Sequence, residues 1–300
     1  MKKRLLPLVV LGLIPIPDVV SSATLADDAI TVEATPLAGT IYELQGTGGN
    51  MTALLGPDGV LLVDDDFAPA APVIVARLKD LGGGSPRYIV NTHFHYDHTG
   101  GNEVFGATAT IIAATAVRER LMHEQTLWKK QHPAEPHSAL PVVTFDQSLA
   151  LHLDGEDVDV VHLPHGHTDG DSVVFFRTSK VASMGDLYFA GMYPIFHPEH
   201  DGSLSGYVSD VGWALSQMSD DYKVVPGHGP VTGKAALAQY YAMIQASMAT
   251  VRAGIAKGET LQQIQADGLP ARYEPFSHGY VTTGRWIEMV YTDAMKTKAV

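Results

Sequence analysis

The segment "THFHYDHTGG", residues 92–101, places three histidines and one aspartate within six positions, directly after an apolar run. Side chains of a strand alternate between its two faces, so His93 and His95 can point to the same side. A turn immediately after them can bring Asp97 and His98 to the same point. The chain contains no cysteine, so a transition-metal site must use His, Asp and Glu, the donors that suit Zn²⁺ and related ions. The segment therefore predicts a metal site.

The composition of the chain fits a globular protein that acts on small molecules. Its 300 residues with 45% hydrophobic content suit one large domain or two small ones with an ample core. The formal charge is −13, from 20 basic and 33 acidic residues, and no basic block interrupts the acidic balance. This charge argues against nucleic acid or an anionic membrane as a partner. We expect a small-molecule substrate, and the oligomeric state stays open.

The first 26 residues are typical of a cleavable export signal. Three basic residues at positions 2–4 precede the apolar stretch "LLPLVVLGLIPIP" and then a run of small residues. Cleavage is expected after Ala23 or Ala26, which leaves a periplasmic or secreted protein without a membrane attachment. The apolar stretch is shorter than the roughly 20 residues that span a bilayer and is broken by prolines. An uncleaved membrane anchor is the alternative.

Strand and helix patterns alternate along the remaining chain. "GPDG" at 56–59 predicts a tight turn between two strands, and residues 68–84 predict a helix that stops at its glycines. A second helix is expected over residues 116–130, and residues 129–141, with three prolines, predict a surface loop. This loop could line a substrate site or be a solvated connector.

The order of these patterns favours an α/β layered sandwich. Five short strand-like runs follow between residues 141 and 184, and helical patterns return at 207–219 and dominate after 234. We find no repeat and no convincing linker. The prediction is one domain over residues 27–300, with a C-terminal helical extension from about residue 234.

The histidine-rich segment resembles the signature of the metallo-β-lactamase-fold hydrolases. Three later motifs match that family in order: "GHTDGDSVVFF" contains His167, "MGDLYF" contains Asp186, and "VVPGHGP" contains His228. The similarity extends from about residue 41 to 230. It implies a four-layer αβ/βα sandwich that binds one or two metal ions at its edge.

The resemblance also implies a role for each matching residue. One zinc ion would be held by His93, His95 and His167, a second by Asp97, His98 and His228, and Asp186 would bridge them, which makes two Zn²⁺ per chain. Asp97 would in addition act in catalysis, by orienting a metal-bridging hydroxide or accepting its proton. Asp64, at the end of "GVLLVDDD", is expected to orient a ligand rather than bind metal. His165 is expected outside the ligand set, and Asp65 and Asp66 are expected to be surface charges.

The expected reaction is hydrolysis of a small cyclic amide, lactone or ester by that hydroxide, which includes β-lactamase-like chemistry. One β-lactamase subclass has a cysteine at the position of Asp186 and a lysine three residues later, whereas this chain has Phe189 there. A bridging aspartate is typical of glyoxalase II-like thioesterases, so a thioester hydrolase is an alternative. An iron-dependent oxidoreductase like the persulfide dioxygenases is another, and a metal-binding protein without catalysis is the third.

Aromatic and polar residues near the motifs are candidates for the substrate pocket, because such pockets are largely apolar with a few polar anchors. The candidates are Asn50, Phe94, Tyr96, Trp128 and Tyr193.

Overall fold

The computed structural model of the protein describes residues 30–127 and 129–298. The expected export signal and the pocket candidate Trp128 lie outside the described residues. Over the described ranges, no helix combines the length and the apolar character needed to cross a membrane.

Fifteen strands and eight α-helices make up the described chain. The strands are β1 (Glu33–Ala38), β2 (Ile41–Gln45), β3 (Met51–Leu54), β4 (Val60–Val63), β5 (Pro86–Val90), β6 (Thr110–Ala114), β7 (Gln125–Leu127), β8 (Lys130–His132), β9 (Val143–Phe145), β10 (Ser148–Leu153), β11 (Glu156–His162), β12 (Ser172–Phe176), β13 (Val181–Ser183), β14 (Lys223–Val225) and β15 (Thr232–Gly233). The helices are α1 (Ala71–Asp80), α2 (Tyr96–Thr99), α3 (Asn102–Phe105), α4 (Thr115–Leu121), α5 (Leu204–Ser216), α6 (Lys234–Lys257), α7 (Leu261–Asp267) and α8 (Thr283–Lys298).

Most strands belong to two mixed sheets. The first sheet has the order β1-β2-β3-β4-β5-β6-β9, antiparallel from β1 to β4 and parallel from β4 to β9. The second has the order β10-β11-β12-β13-β14-β15, in which only β13 and β14 pair in parallel. Strands β7 and β8 form a separate hairpin.

The alternation of side chains along the strands divides the interior into three hydrophobic clusters. In β4, Leu61 and Val63 belong to a cluster shared with β11 and β12, whereas Val60 and Leu62 belong to a cluster shared with α1. In β12, Phe176 faces the first sheet, whereas Phe175 packs in a cluster with α5, α6 and α8. The layers are therefore helix, sheet, sheet and helix, which confirms the four-layer sandwich.

Several local predictions are confirmed. The "GPDG" turn joins β3 to β4, and α1 ends at Asp80, just before the glycines, where Gly82 adopts a positive φ of 89°. The helical pattern at 207–219 appears as α5, slightly earlier. From residue 234 the chain is largely helical, and α6 and α8 form part of the outer layer against the second sheet.

The helix predicted over residues 116–130 is wrong beyond its first half. Helix α4 ends at Leu121, and the chain then forms the β7–β8 hairpin, which also takes up the start of the predicted surface loop at 129–141. Leu127 is buried in the cluster between the sheets. Burial of this side chain and cross-strand pairing outweigh the local helical pattern here.

Candidate metal centre

The histidine-rich segment follows β5 and includes the short helix α2, with His93 and His95 before the helix and Asp97 and His98 within it. His98 and Thr99 donate backbone N–H groups to the carbonyl of His95, at 3.0 Å each, so the chain reverses direction within one helical turn. His93, His95, Asp97 and His98 are all buried. One short segment thus places four potential metal-binding side chains, three histidines and one aspartate, in the buried edge of the sandwich.

Three further donors come from separate connections of the second sheet. His167 lies between β11 and β12, Asp186 lies in the 3-10 turn Gly185–Leu187 after β13, and His228 follows β14. The carboxylate of Asp171 accepts the backbone N–H of His167 at 2.6 Å and holds that loop. A Cβ atom at Gly227 would lie 2.0 Å from Asp186 Oδ1, so the approach of the two turns requires glycine.

The side chains of these turns form two donor groups. The first donor group comprises His93, His95, His167 and Asp186, and the second donor group comprises Asp97, His98 and His228. Within each group the candidate ligand atoms lie within 4.8 Å of one another. The structure therefore brings all seven predicted ligands into two adjoining clusters, whereas His165 is exposed and belongs to neither.

The Asp186 carboxylate divides its two oxygens between these groups. Oδ2 lies 3.3 Å from His167 Nε2 and 3.9 Å from His93 Nε2, in the first group. Oδ1 lies 3.2 Å from His98 Nε2 and 3.4 Å from His228 Nε2, in the second. A carboxylate placed in this way can bridge two cations about 3.5 to 4 Å apart.

The histidines of the first group are held in the neutral form that binds metal. Burial lowers the pKa of His93 and His95 well below 6.5 and lowers the pKa of His167 to about 4. The Nδ1 atom of His167 lies 2.8 Å from the Ile195 carbonyl, which orients the ring.

At the second group, two basic histidines, His98 and His228, face the carboxylates of Asp97 and of the neighbouring Asp186. Burial alone would raise the pKa of Asp186, but His228 and His98 hold it well below 3.8. Asp97 is lowered in pKa for the same reason, against the effect of burial. Burial would lower the pKa of His228, but Asp186 and Asp97 raise it to about 9. The ionised carboxylates concentrate negative charge here. This charge suits a bound cation, which would replace the protons on the two histidines.

An unpartnered polar atom of the first group fits a metal ion. His93 Nε2 is buried and has no hydrogen-bond partner among the described residues. Such groups are costly to bury unless something else satisfies them. Imidazole nitrogens and carboxylate oxygens are donors that zinc accepts, so these residues fit a zinc-type ion.

Three aspartates at the end of β4 support the site from behind. Asp64 Oδ2 lies 2.8 Å from His98 Nδ1, and Asp64 Oδ1 accepts the Thr92 backbone N–H at 2.7 Å. Asp64 is thus placed to orient His98, a predicted metal ligand. The prediction that Asp65 and Asp66 are surface charges is wrong, because both are fully buried and accept hydrogen bonds from Gly101 and Thr47.

A cavity of about 390 Å³ opens onto the two donor groups. Its lining residues are Thr47, Gly48, Phe67, Asp97, His167, Asp186, Phe189, Ile195, His197, His228 and Tyr280. Over the part of the chain that the structure describes, this lining contains two carboxylates and no lysine or arginine. Beside it lies an outer groove of about 800 Å³, which shares Ile195, His197 and Tyr280 with the cavity and runs along α8.

The pocket candidates chosen from the sequence lie elsewhere. Phe94 is buried in the core, where its ring packs on His95, and Tyr193 is buried and stacks on Trp286. Tyr96 stacks on His132 in the β7–β8 region. None of these three aromatic residues lines the cavity, because alternation and core packing direct their side chains away from it.

Asn50 also does not line the cavity, but it supports the site. Its side-chain amide donates to the carbonyls of Pro226 and Gly229, at 3.1 and 2.7 Å, and so fastens the turn that carries His228. Asn50 thus helps to position His228, a predicted metal ligand, and is not placed to contact a substrate in the cavity.

Comparison with known proteins shows which family has this arrangement. Residues 44–229 match the family model described as the metallo-beta-lactamase superfamily. The chain belongs to the metallo-beta-lactamase superfamily. The resemblance expected from the four motifs is therefore confirmed, and the chain is a hydrolase of this superfamily.

Relatives within the superfamily differ in what they act on. The chain is 26% identical over 223 residues to an acyl-coenzyme A thioesterase, MBLAC2, of Gallus gallus, covering 64% of this chain and 79% of the relative. It is 27% identical over 147 residues to an N-acyl homoserine lactonase of Bacillus thuringiensis, covering 48% of this chain and about half, 53%, of the lactonase. The solved structure of a metallo-beta-lactamase from Pontibacter korlensis superposes with a TM-score of 0.60 at 18% identity, covering 72% of this chain and 99% of that one.

Two histidines near the superfamily site were missed by the sequence reasoning. The rings of His197 and His95 lie 4.9 Å apart, and His200 packs edge-on against Phe94 at 5.0 Å. Neither residue belongs to the four ordered motifs, and a single histidine outside a motif is more often structural or solvated. The available signal was their spacing in "HPEH", three potential donors within four residues.

Proposed function

We propose that the protein is a dinuclear zinc hydrolase that opens a small uncharged cyclic amide, lactone or ester. The observation that carries this proposal is the Asp186 carboxylate, whose two oxygens face different donor groups. In this assignment His93, His95 and His167 hold one ion, Asp97, His98 and His228 hold the other, and Asp186 binds both.

Two zinc ions held there would supply Lewis acidity, which polarises the scissile carbonyl and provides hydroxide near neutral pH without a protein nucleophile. Asp97 is the catalytic residue that this chain adds. Its Oδ2 lies 3.2 Å from His228 Nε2, whereas its Oδ1 is buried without a partner among the described residues. Oδ1 is thus the atom that would orient the attacking water and take its proton.

The lining of the cavity supports an uncharged substrate. Among the described residues, it contains no lysine or arginine that could pair with a substrate carboxylate. Phe67, Phe189 and Ile195 provide apolar contacts instead. A small lactone or ester meets these conditions better than an anionic β-lactam drug. The similarity to an N-acyl homoserine lactonase supports the same substrate class.

A thioester hydrolase is the second candidate, and the outer groove favours it. This groove of about 800 Å³ continues from the cavity and contains Arg285 and Lys296, which could face an anionic thiol leaving group. The similarity to an acyl-coenzyme A thioesterase covers 79% of that relative.

The decisive experiment is a substrate panel measured on protein of known metal content. Purified protein would be analysed for zinc and iron and assayed with lactones, esters, β-lactams and thioesters. We expect two zinc ions per chain and the highest kcat/KM on an uncharged lactone or ester. A preference for thioesters would select the second candidate.

Two outcomes would overturn both candidates. Stoichiometric iron with oxygen uptake and no hydrolysis would indicate an oxidoreductase like the persulfide dioxygenases. Two bound zinc ions with no turnover on the whole panel would indicate a metal-binding protein without catalysis.

We also propose that the protein is exported and loses residues 1–26. The basic start and the apolar stretch of the N-terminus support this. N-terminal sequencing of protein from the periplasm or medium should find a chain that begins after Ala23 or Ala26. A full-length chain retained in the membrane fraction would favour the uncleaved anchor.

A further inference from the structure

A third cluster of metal-binding side chains lies beside the two donor groups. His197, Glu199 and His200 offer ligand atoms within 4.8 Å of one another, around the 3-10 turn Pro198–His200. None of them belongs to the seven residues assigned to the two zinc ions.

The two histidines of this cluster are buried with unsatisfied nitrogens. His197 is 9% exposed and His200 is 5% exposed. His197 Nε2 and His200 Nδ1 each have no hydrogen-bond partner among the residues that the structure describes. Buried nitrogens without a partner are uncommon and costly, so two of them on one turn indicate a missing ligand.

The carboxylate completes the cluster from the solvent side. Glu199 Oε1 lies 3.0 Å from His197 Nδ1, and the Glu199 side chain is 60% exposed. One carboxylate and two imidazoles are a common ligand set for zinc and related ions, and three protein ligands leave a position open to solvent.

The backbone holds this turn in place before any ligand binds. His197 donates its N–H to the carbonyl of His167 at 3.0 Å, and Asp169 donates to the carbonyl of His200 at 2.9 Å. Gly202 also donates to the carbonyl of His197 at 3.0 Å. The cluster is therefore built into the loop that carries His167 and is not a chance meeting of mobile side chains.

We propose that His197, Glu199 and His200 form a third binding site for a zinc-class divalent ion. His197 lines both the cavity and the outer groove. An ion at this site would therefore fix the His197 side chain between these two spaces. Glu199 and His197 both line the outer groove, so an ion held by them would be reachable from this groove. The site is distinct from the dinuclear centre and does not depend on the reaction that the centre performs.

The test counts bound ions in matched variants of the full protein, purified without a histidine tag. Wild type, Glu199→Gln and His200→Gln would be dialysed against buffered free zinc and analysed for zinc per chain. We expect three ions in the wild type and two in each variant. Glu199 is exposed, so its variant is expected to fold even if His200→Gln does not.

His152→Gln is the matched control. His152 Nδ1 lies 2.7 Å from Asp157 Oδ1, so it is also a histidine paired with a carboxylate, but it is exposed and lies in the edge strand β10 of the second sheet. This variant should keep three ions. Cobalt titration provides a second readout, because the third equivalent should change the visible absorption in the wild type and not in Glu199→Gln.

Two results would overturn the proposal. One is a wild-type protein that takes up no more than two ions at saturating zinc. The other is a third ion that binds equally well to Glu199→Gln and His200→Gln. Neither result bears on the dinuclear hydrolase, which is judged by the first two ions and the substrate panel.

Discussion

The two halves of the sandwich contribute to the metal centre in opposite ways. The first half supplies its four donors from six consecutive positions after β5, at a single turn. The second half supplies His167, Asp186 and His228 from three connections, so each donor depends on a different pair of elements. Local chain geometry can assemble the first set, whereas only the packing of the second sheet can assemble the other.

Contacts between the halves hold the two sets in register. Ser172 donates its backbone N–H to the Thr92 carbonyl at 2.7 Å, which ties β12 to the start of the histidine segment. Asn50 of the first half holds the turn of His228 through two side-chain hydrogen bonds. Asp186 contacts histidines from both halves. The centre is therefore a product of the interface between the sheets.

Removal of the bridging carboxylate should have the largest effect. In Asp186→Ala, both donor groups lose their common ligand, so we expect fewer than two zinc ions per chain and a loss of kcat/KM beyond about 100-fold, since changes to outer-shell partners alone typically cost about 10–100-fold. Stability should change far less than activity. Zinc analysis, turnover and thermal unfolding would be measured together, with the exposed Asp157→Ala as control. An unchanged rate would remove Asp186 from the site.

A change confined to the first half tests whether local chain geometry alone is sufficient to assemble the donors of that half. In Asp64→Asn, His98 Nδ1 loses its carboxylate partner at 2.8 Å, so zinc affinity should fall by about 10–100-fold. Competition with a zinc chelator would measure this. Asp65→Asn is the matched control, because Asp65 is equally buried but accepts from the Gly101 backbone. Equal losses in both variants would contradict a specific role for Asp64.

The contact between the halves can be tested at Asn50. In Asn50→Ala, the buried carbonyl of Pro226 and the partly buried carbonyl of Gly229 lose their donor. The free energy of unfolding should therefore fall by about 1–3 kcal/mol, and kcat/KM should fall because the turn that positions His228 is no longer held. Chemical denaturation and turnover would be measured. Gln125→Ala also removes an amide that donates to two carbonyls, but outside the centre. If both variants lost activity equally, the role of Asn50 in placing His228 would be refuted.

The smallest expected effect is a gain in stability at Asp210, which supports the second-half loop. Burial raises the pKa of this carboxyl from 3.8 to about 6, although the His165 backbone N–H opposes the shift. The folded state thus binds the proton more tightly than the unfolded state does. The stability that this proton binding contributes is complete below pH 3.8 and is lost as the pH rises through about 6. Asp210→Asn should therefore stabilise the protein by about 1–3 kcal/mol at neutral pH.

Thermal unfolding of Asp210→Asn across this pH range would test the sign. The difference from wild type should shrink towards zero as the pH falls below about 4. A variant that is less stable than wild type at neutral pH would show that the hydrogen bond to His165 matters more than the burial of charge.

The sequence was most informative where chemistry is local. Ordered motifs predicted the fold, and the seven predicted ligands do converge in space. It failed where orientation depends on distant packing. Phe94 lies between two histidines in the chain, yet its ring turns into the core, and Asp65 and Asp66 are buried under the histidine segment rather than exposed. The helix expected at 116–130 failed for the same reason, because burial of Leu127 in a hairpin is a tertiary effect.

By itself, the sequence determined which donors are present, their order and the layered class of the fold, because strand alternation and turn residues act over a few neighbouring positions. Only the tertiary structure decided that Asp186 faces both donor groups, that no lysine or arginine of the described residues lines the cavity, and that His197 and His200 lie buried beside the centre. These features depend on distances between segments far apart in the chain, and those distances are set when the two sheets pack against each other.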